Sequence, residues 1–374
     1  LISPANFIDY LISRGIAAFF GVPDSLLAEF CKELDHHSCR HIITANEGNA
    51  VATAIGHHLG TGGYAAVYMQ NSGLGNAINP LVSLAAPEIY GIGTLLIIGW
   101  RGEPGVKDEP QHLLQGQITI DLLETMRIPF VILTADSNLT ETVSPILDQL
   151  KKGPAAIIVK KNCFAPASVL PEKDSEPDLP TRERTIELLL DHTQPTDLLV
   201  STTGKASREL FELRVKRGES QRDFLTVGGM GHASSIALGL ALSRPRNRVF
   251  CLDGDGAMLM HLGALATISC TARPENFVYI MLNNGVHESV GGQPTSAPRI
   301  DTRRLAESMN FKHYFKTDSE TAMQQCFSSL NSLTGPVFIE APIKPGSRKN
   351  LGRPTSTPAE NKAELMRFID EQTV

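Results

Sequence analysis

Short apolar runs rich in β-branched residues recur along the chain between segments of helical periodicity. They fall at residues 17–20, 65–69, 94–98, 129–133 and 155–159. Each is too short for a stable helix and reads as a buried strand. Strands alternating with helices predict parallel α/β architecture. A break in composition follows at residues 165–180, where Pro166, Pro171, Pro177 and Pro180 stand among Glu172, Lys173, Asp174, Glu176 and Asp178 with little to bury. That stretch reads as a linker. The alternation then resumes, with strands predicted at 197–200, 248–252, 277–282 and 337–341 and helices at 182–190 and 256–269. Thr357-Pro358-Ala359-Glu360 combines an N-cap, a proline at the first helical position and a glutamate three residues after the cap, predicting a final helix through Ile369. Two α/β domains of similar size result, residues 1–164 and 181–374, with no repeat visible in the sequence itself.

The 374 residues suffice for two hydrophobic cores without disulfide or metal staples. Apolar residues at 42 % and charged residues at 20 % are globular values, and exclude both a disordered chain and a membrane protein. The 34 basic and 40 acidic side chains leave a charge of −6, which argues against a general nucleic-acid surface. An anionic ligand therefore needs a local site. Cys31, Cys39, Cys163, Cys251, Cys270 and Cys326 show no C-x-x-C spacing, as expected for reduced thiols in a cytoplasmic protein. No signal peptide is visible, and the longest apolar stretch is too short to span a bilayer.

The candidate chemistry begins in the second half. Residues 248–256 read as a strand running into Gly254-Asp255-Gly256 and then a helix, with Gly254 and Gly256 allowing tight backbone geometry and close ligand approach. Asp255 is thereby placed at the carboxyl end of a strand, where open α/β sheets bind ligands. The next strand ends in Asn283-Asn284-Gly285, with 26 residues between Gly256 and Asn283. Two adjacent strands would bring a carboxylate and a carboxamide together, a hard-oxygen set suited to Mg²⁺. Amides at the helix start could bind a diphosphate.

This Gly-Asp-Gly and Asn-Asn pair resembles the signature of thiamine-diphosphate enzymes. Thr226-Val-Gly-Gly-Met-Gly231 resembles the segment that precedes it in the decarboxylase branch. The resemblance implies two domains of the thiamine-diphosphate-binding fold, pyrimidine-binding and diphosphate-binding, without the middle domain many members carry. It implies thiamine diphosphate and Mg²⁺ as cofactors, with Asp255, the Asn284 side chain and the Val286 carbonyl as metal ligands. The Gly228 carbonyl would accept a bond from the 4′-amino group, and Met230 would wedge the cofactor into its bent shape. Gly254, Gly256 and Asn71 would also contact the cofactor. In the first half, Glu47 opens a helix of small residues and matches the acid that bonds N1′ of the aminopyrimidine. Sites of this family form between subunits, which implies a homo-oligomer.

Within the superfamily the chain is most similar to the phosphonopyruvate decarboxylases, with sulfopyruvate decarboxylases next. The carrying segments include residues 20–25, 70–76, 100–112, 201–208 and 285–293. The resemblance implies decarboxylation of 3-phosphonopyruvate to phosphonoacetaldehyde in phosphonate biosynthesis. Arg101, Lys107 and His112, in a Gly/Pro-rich loop, are the candidate phosphonate contacts. Asp24, His112 and His287 are candidates for proton transfer, although Gln111 stands where the first histidine of a family pair would be. Sulfopyruvate decarboxylases are often split into two subunits, so the continuous chain is read as evidence against that substrate. A non-catalytic assembly protein would have lost Glu47, Asp255 or Asn284, and all three are present.

Overall fold

The computed structural model describes residues 1–167 and 178–372. Most of the linker expected at 165–180 therefore lies outside the described residues. The chain divides into two compact units, one of Leu1–Lys173 with His287–Gln293, the other of Asp174–Val286 with Pro294–Val374.

The first unit holds β1 (Ile16–Gly21), β2 (Arg40–Ile43), β3 (Tyr64–Gln70), β4 (Thr94–Gly99), β5 (Phe130–Leu133) and β6 (Ala155–Val159). All pair in parallel in the order β2-β1-β3-β4-β6-β5. Along β4, Leu95 and Ile97 join one core cluster while Leu96 and Ile98 join the cluster on the opposite face. Burial on both faces explains why the central strands read as unbroken apolar runs.

The second unit holds β7 (Leu198–Ser201), β8 (Phe224–Leu225), β9 (Val249–Gly254), β10 (Phe277–Asn283), β11 (His313–Lys316) and β12 (Val337–Pro342). Its order is β11-β12-β10-β9-β7-β8, again all parallel. Read from β8, this is the topology of the first sheet, so the two units share one winding pattern that their sequences do not display.

Three strands escaped the sequence pattern: β2, β8 and β11, each at a sheet edge. β2 alternates exposed and half-buried positions, and β8 has two residues, so neither forms an apolar run. The helix expected over 256–269 is interrupted. It runs as Asp255–Met260, breaks at His261 and resumes as Gly263–Ala266. Arg182–Leu190 is helical as predicted, and Pro358–Glu371 starts with the expected capping box from Thr357 and Glu360. All six cysteines are free. Among the described residues no helix is long and apolar enough to cross a membrane.

Candidate active site

Parallel strands deliver their following loops to one edge of the sheet. In the first unit that edge collects Asp24 after β1, Glu47 after β2, Gln70 and Asn71 at the end of β3, and Arg101 after β4. Glu47 opens the helix Glu47–Thr61 behind the N-cap Asn46, whose side chain accepts from Asn49 N at 2.9 Å. Glu47 is 6 % exposed, and its carboxylate accepts Asn76 Nδ2 at 2.9 Å. Gly73 lies against it, and a Cβ there would be 2.6 Å from Glu47 Cδ.

Asp24 is fully buried. Gln70 Nε2 donates to its Oδ1 at 2.7 Å and Leu26 N to its Oδ2 at 3.1 Å. Burial raises this carboxyl above the ordinary range, offset in part by Gln70 and by the nearby Arg101 charge.

Arg101 is not the free cation its sequence context suggested. Its Nε and Nη2 form a bidentate pair with Asp108, and Nη1 donates to Ser25 Oγ at 2.8 Å. Asp108 also accepts Gly102 N and Glu109 N, both at 2.8 Å, and Arg101 holds its carboxyl well below the usual range. The pair cancels the charge offered to a phosphonate and leaves two guanidinium N–H groups unused. Burial, followed by the Arg101 charge, lowers the pKa of His112, which favours the neutral imidazole and leaves a ring N–H able to donate to an anion. Lys107 is exposed on the same loop.

Asn71 is fully buried with its carboxamide occupied. Nδ2 donates to Arg101 O and Thr119 Oγ1, both at 2.8 Å, and Oδ1 accepts Arg101 N at 3.2 Å. One N–H thus holds the Arg101 carbonyl and the other the Thr119 hydroxyl, which ties the end of β3 to the loop after β4.

Sequence reasoning missed Lys161. It lines a cavity of about 230 Å³ with Ser25, Leu26, Trp100, Arg101, Glu103, Val106 and Asp108. Glu103 is paired with Lys160 and Asp108 with Arg101, whereas Lys161, itself exposed, has no acidic partner among the described residues. Its position next to β6 in space, not any motif, is what reveals it.

In the second unit, Leu282 of β10 pairs with Gly254 of β9, which brings Asp255 and Asn284 to adjacent strand ends. Asp255 is 2 % exposed and accepts the Thr295 hydroxyl. Burial raises its carboxyl, against the hydrogen bonds from Thr295 and from the backbone of Asn284 and Gly256. Among the described residues it has no cationic partner. A buried carboxylate in that state, with the Asn284 carboxamide on the neighbouring strand end and its Oδ1 accepting Val286 N at 3.1 Å, suits a hard divalent cation. Gly254 has ordinary extended backbone (φ −92, ψ 154) and open space where a Cβ would stand. The chain's own backbone therefore does not require the glycine, and the gap leaves room for a ligand. Gly228 and Met230 follow β8 at the same sheet edge, half-buried. His287, which belongs to the first unit, opens a closed loop with its backbone N–H on Gln293 O at 2.7 Å, and burial pushes its pKa down to about 4.

Asp253 was also missed. It is fully buried, accepts Tyr279 Oη at 3.0 Å and Gly254 N at 3.0 Å, and so fixes the turn that presents Asp255. Arg348, a cation of the segment after β12, is paired with Glu183 and Glu212.

Comparison with known proteins matches residues 5–125 to the thiamine pyrophosphate enzyme N-terminal TPP binding domain and residues 203–341 to the C-terminal TPP binding domain. A phosphonopyruvate decarboxylase of Streptomyces viridochromogenes is 35 % identical over 99 % of this chain and 95 % of its own. One from Streptomyces hygroscopicus is 33 % identical over 99 % and 95 %. A sulfopyruvate decarboxylase of Methanosarcina acetivorans is 28 % identical over 83 % of both chains. That last relative carries both halves in one chain, so chain continuity does not separate the two substrates as the sequence reading had assumed.

Proposed function

The chain belongs to the thiamine pyrophosphate enzymes, among the relatives of the phosphonopyruvate decarboxylases, and from that membership we propose that it converts 3-phosphonopyruvate to phosphonoacetaldehyde and CO₂. The observation that carries the substrate is similarity along nearly the whole chain, 35 % and 33 % to two phosphonopyruvate decarboxylases against 28 % to the single-chain sulfopyruvate enzyme.

Thiamine diphosphate, when bound, supplies the electron sink that decarboxylation of a 2-oxo acid requires. Asp255, the Asn284 side chain and the Val286 carbonyl would hold Mg²⁺, Gly228 and Met230 would receive the aminopyrimidine, and Glu47 would be the acid that holds a proton at its N1′. The aldehyde gains a C–H bond, so one proton must be supplied as CO₂ leaves. Asp24 is suited to that transfer, because burial keeps its carboxyl protonated to higher pH than an exposed one. His112 and His287 serve as neutral imidazoles. Lys161 and the free N–H groups of Arg101 bind the phosphonate. The protein acts as a homo-oligomer in the cytoplasm, where its thiols stay reduced.

The test is turnover of 3-phosphonopyruvate and 3-sulfopyruvate with saturating thiamine diphosphate and Mg²⁺. Absence of CO₂ and aldehyde from both acids would sink the proposal. A higher kcat/KM for sulfopyruvate would transfer the assignment to that acid.

A further inference from the structure

Gln70 stands at the end of β3 with both ends of its carboxamide engaged. Nε2 donates to Asp24 Oδ1 at 2.7 Å, and Oε1 accepts the Ser72 hydroxyl at 2.8 Å. The Ser72 bond fixes which face of the amide meets Asp24. On the other side of Asp24, Leu26 N donates to Oδ2, and a Cβ on Gly99 would overlap that same oxygen. The carboxyl group is thus clamped between the Gln70 side chain, the backbone N–H groups of Leu26 and Ser25, and a position without a side chain. Gln70 is half-buried, so unlike Asp24 it reaches the open edge of the sheet.

We propose that Gln70 is the positioning residue for Asp24, setting the orientation and proton affinity of that carboxyl group through the Ser72–Gln70–Asp24 chain. This inference rests on the reading of Asp24 as a proton-transfer group. The other groups that act on Asp24 are the Arg101 guanidinium after β4, itself paired with Asp108, and the Cys31 thiol of the helix Ala28–His36, which bonds the Asp24 backbone. Neither contacts the Asp24 carboxyl as a side-chain donor; Gln70 does. Removing the Gln70 donor leaves the buried carboxylate less well solvated, so its proton is held to higher pH.

Gln70→Met keeps the volume and removes the donor. The expected result is a kcat about ten-fold lower, the limb of the kcat pH profile belonging to Asp24 moved to higher pH, and an unaltered melting-temperature rise with thiamine diphosphate and Mg²⁺. Gln70→Glu, which sets a second carboxyl group against Asp24, moves the limb further the same way. In an Asp24→Asn background, Gln70→Met has no additional effect on kcat. Wild-type activity in Asp24→Asn overturns the reading of Asp24 itself. An impaired Asp24→Asn, together with an unmoved pH limb in a folded Gln70→Met, overturns the positioning role alone.

Discussion

Gly73 leaves the space that the Glu47 side chain occupies: a Cβ on Gly73 would stand 2.6 Å from both Cγ and Cδ of Glu47. Glu47 opens the helix that follows β2 and Gly73 lies in the turn that follows β3, and the carboxyl group reaches its place only because that turn has no side chain there. Gly73→Ala must therefore displace Glu47 or move the loop. Overpacking of this kind costs about 1–3 kcal/mol. The variant should fold with a lowered denaturation midpoint and lose at least ten-fold in kcat, while a variant with wild-type turnover would show that the Glu47 position is not critical.

Glu47→Gln separates charge from shape. The amide can still accept from Asn76, so stability should change by no more than about 1 kcal/mol. Turnover should fall by about 10²-fold or more, because general acid–base contributions are of that order. Unchanged melting with near-normal activity would remove Glu47 from the mechanism.

The Arg101–Asp108 pair gives a pH prediction with a definite sign. Asp108 has its pKa lowered in the folded protein by the Arg101 hydrogen bonds. Its stabilising contribution is therefore complete above the unfolded pKa of about 3.9 and is lost as pH falls below that value. Asp108→Asn should cost about 1–3 kcal/mol, because it leaves a half-buried guanidinium without its counter-charge. In urea unfolding, the difference between wild type and variant should be constant between pH 5 and 8 and shrink only below about pH 4. A difference that shrinks already at pH 6 would show that another group is responsible.

Asp255→Ala should leave the unliganded fold intact, since the carboxylate is buried at a cost and has no cationic partner among the described residues. What it should remove is the melting-temperature rise produced by thiamine diphosphate and Mg²⁺ together. Persistence of the full rise would exclude Asp255 as a metal ligand.

For Lys161→Met the expected change is in KM. Loss of this cation from the cavity lining should raise KM for phosphonopyruvate several-fold with little effect on kcat, the pattern of lost ground-state binding. A Lys107→Met variant, altered outside that cavity lining, should show a smaller change, and the reverse order would return the phosphonate contact to Lys107.

The sequence by itself determined the central strands, because a strand covered on both faces must be apolar along its length, and it determined the final helix through the Thr357–Glu360 cap. It also exposed the Gly254-Asp255-Gly256 turn and Asn284, whose chemistry is set by residues close together in the chain. Edge strands such as β2 lacked that signature because one side meets solvent. Only the tertiary structure decided that the two units share one strand order, since topology is a property of crossovers and leaves no repeat in the sequence. It also decided the state of each charge. Arg101 reads as a free cation until Asp108 folds onto it, Asp24 lies 46 residues from the amide that holds it, and Lys161 joins the cavity through β6. Side-chain electrostatics depend on distances of a few ångströms between segments remote in sequence, and those distances exist only once the sheet has brought the strand ends to one edge.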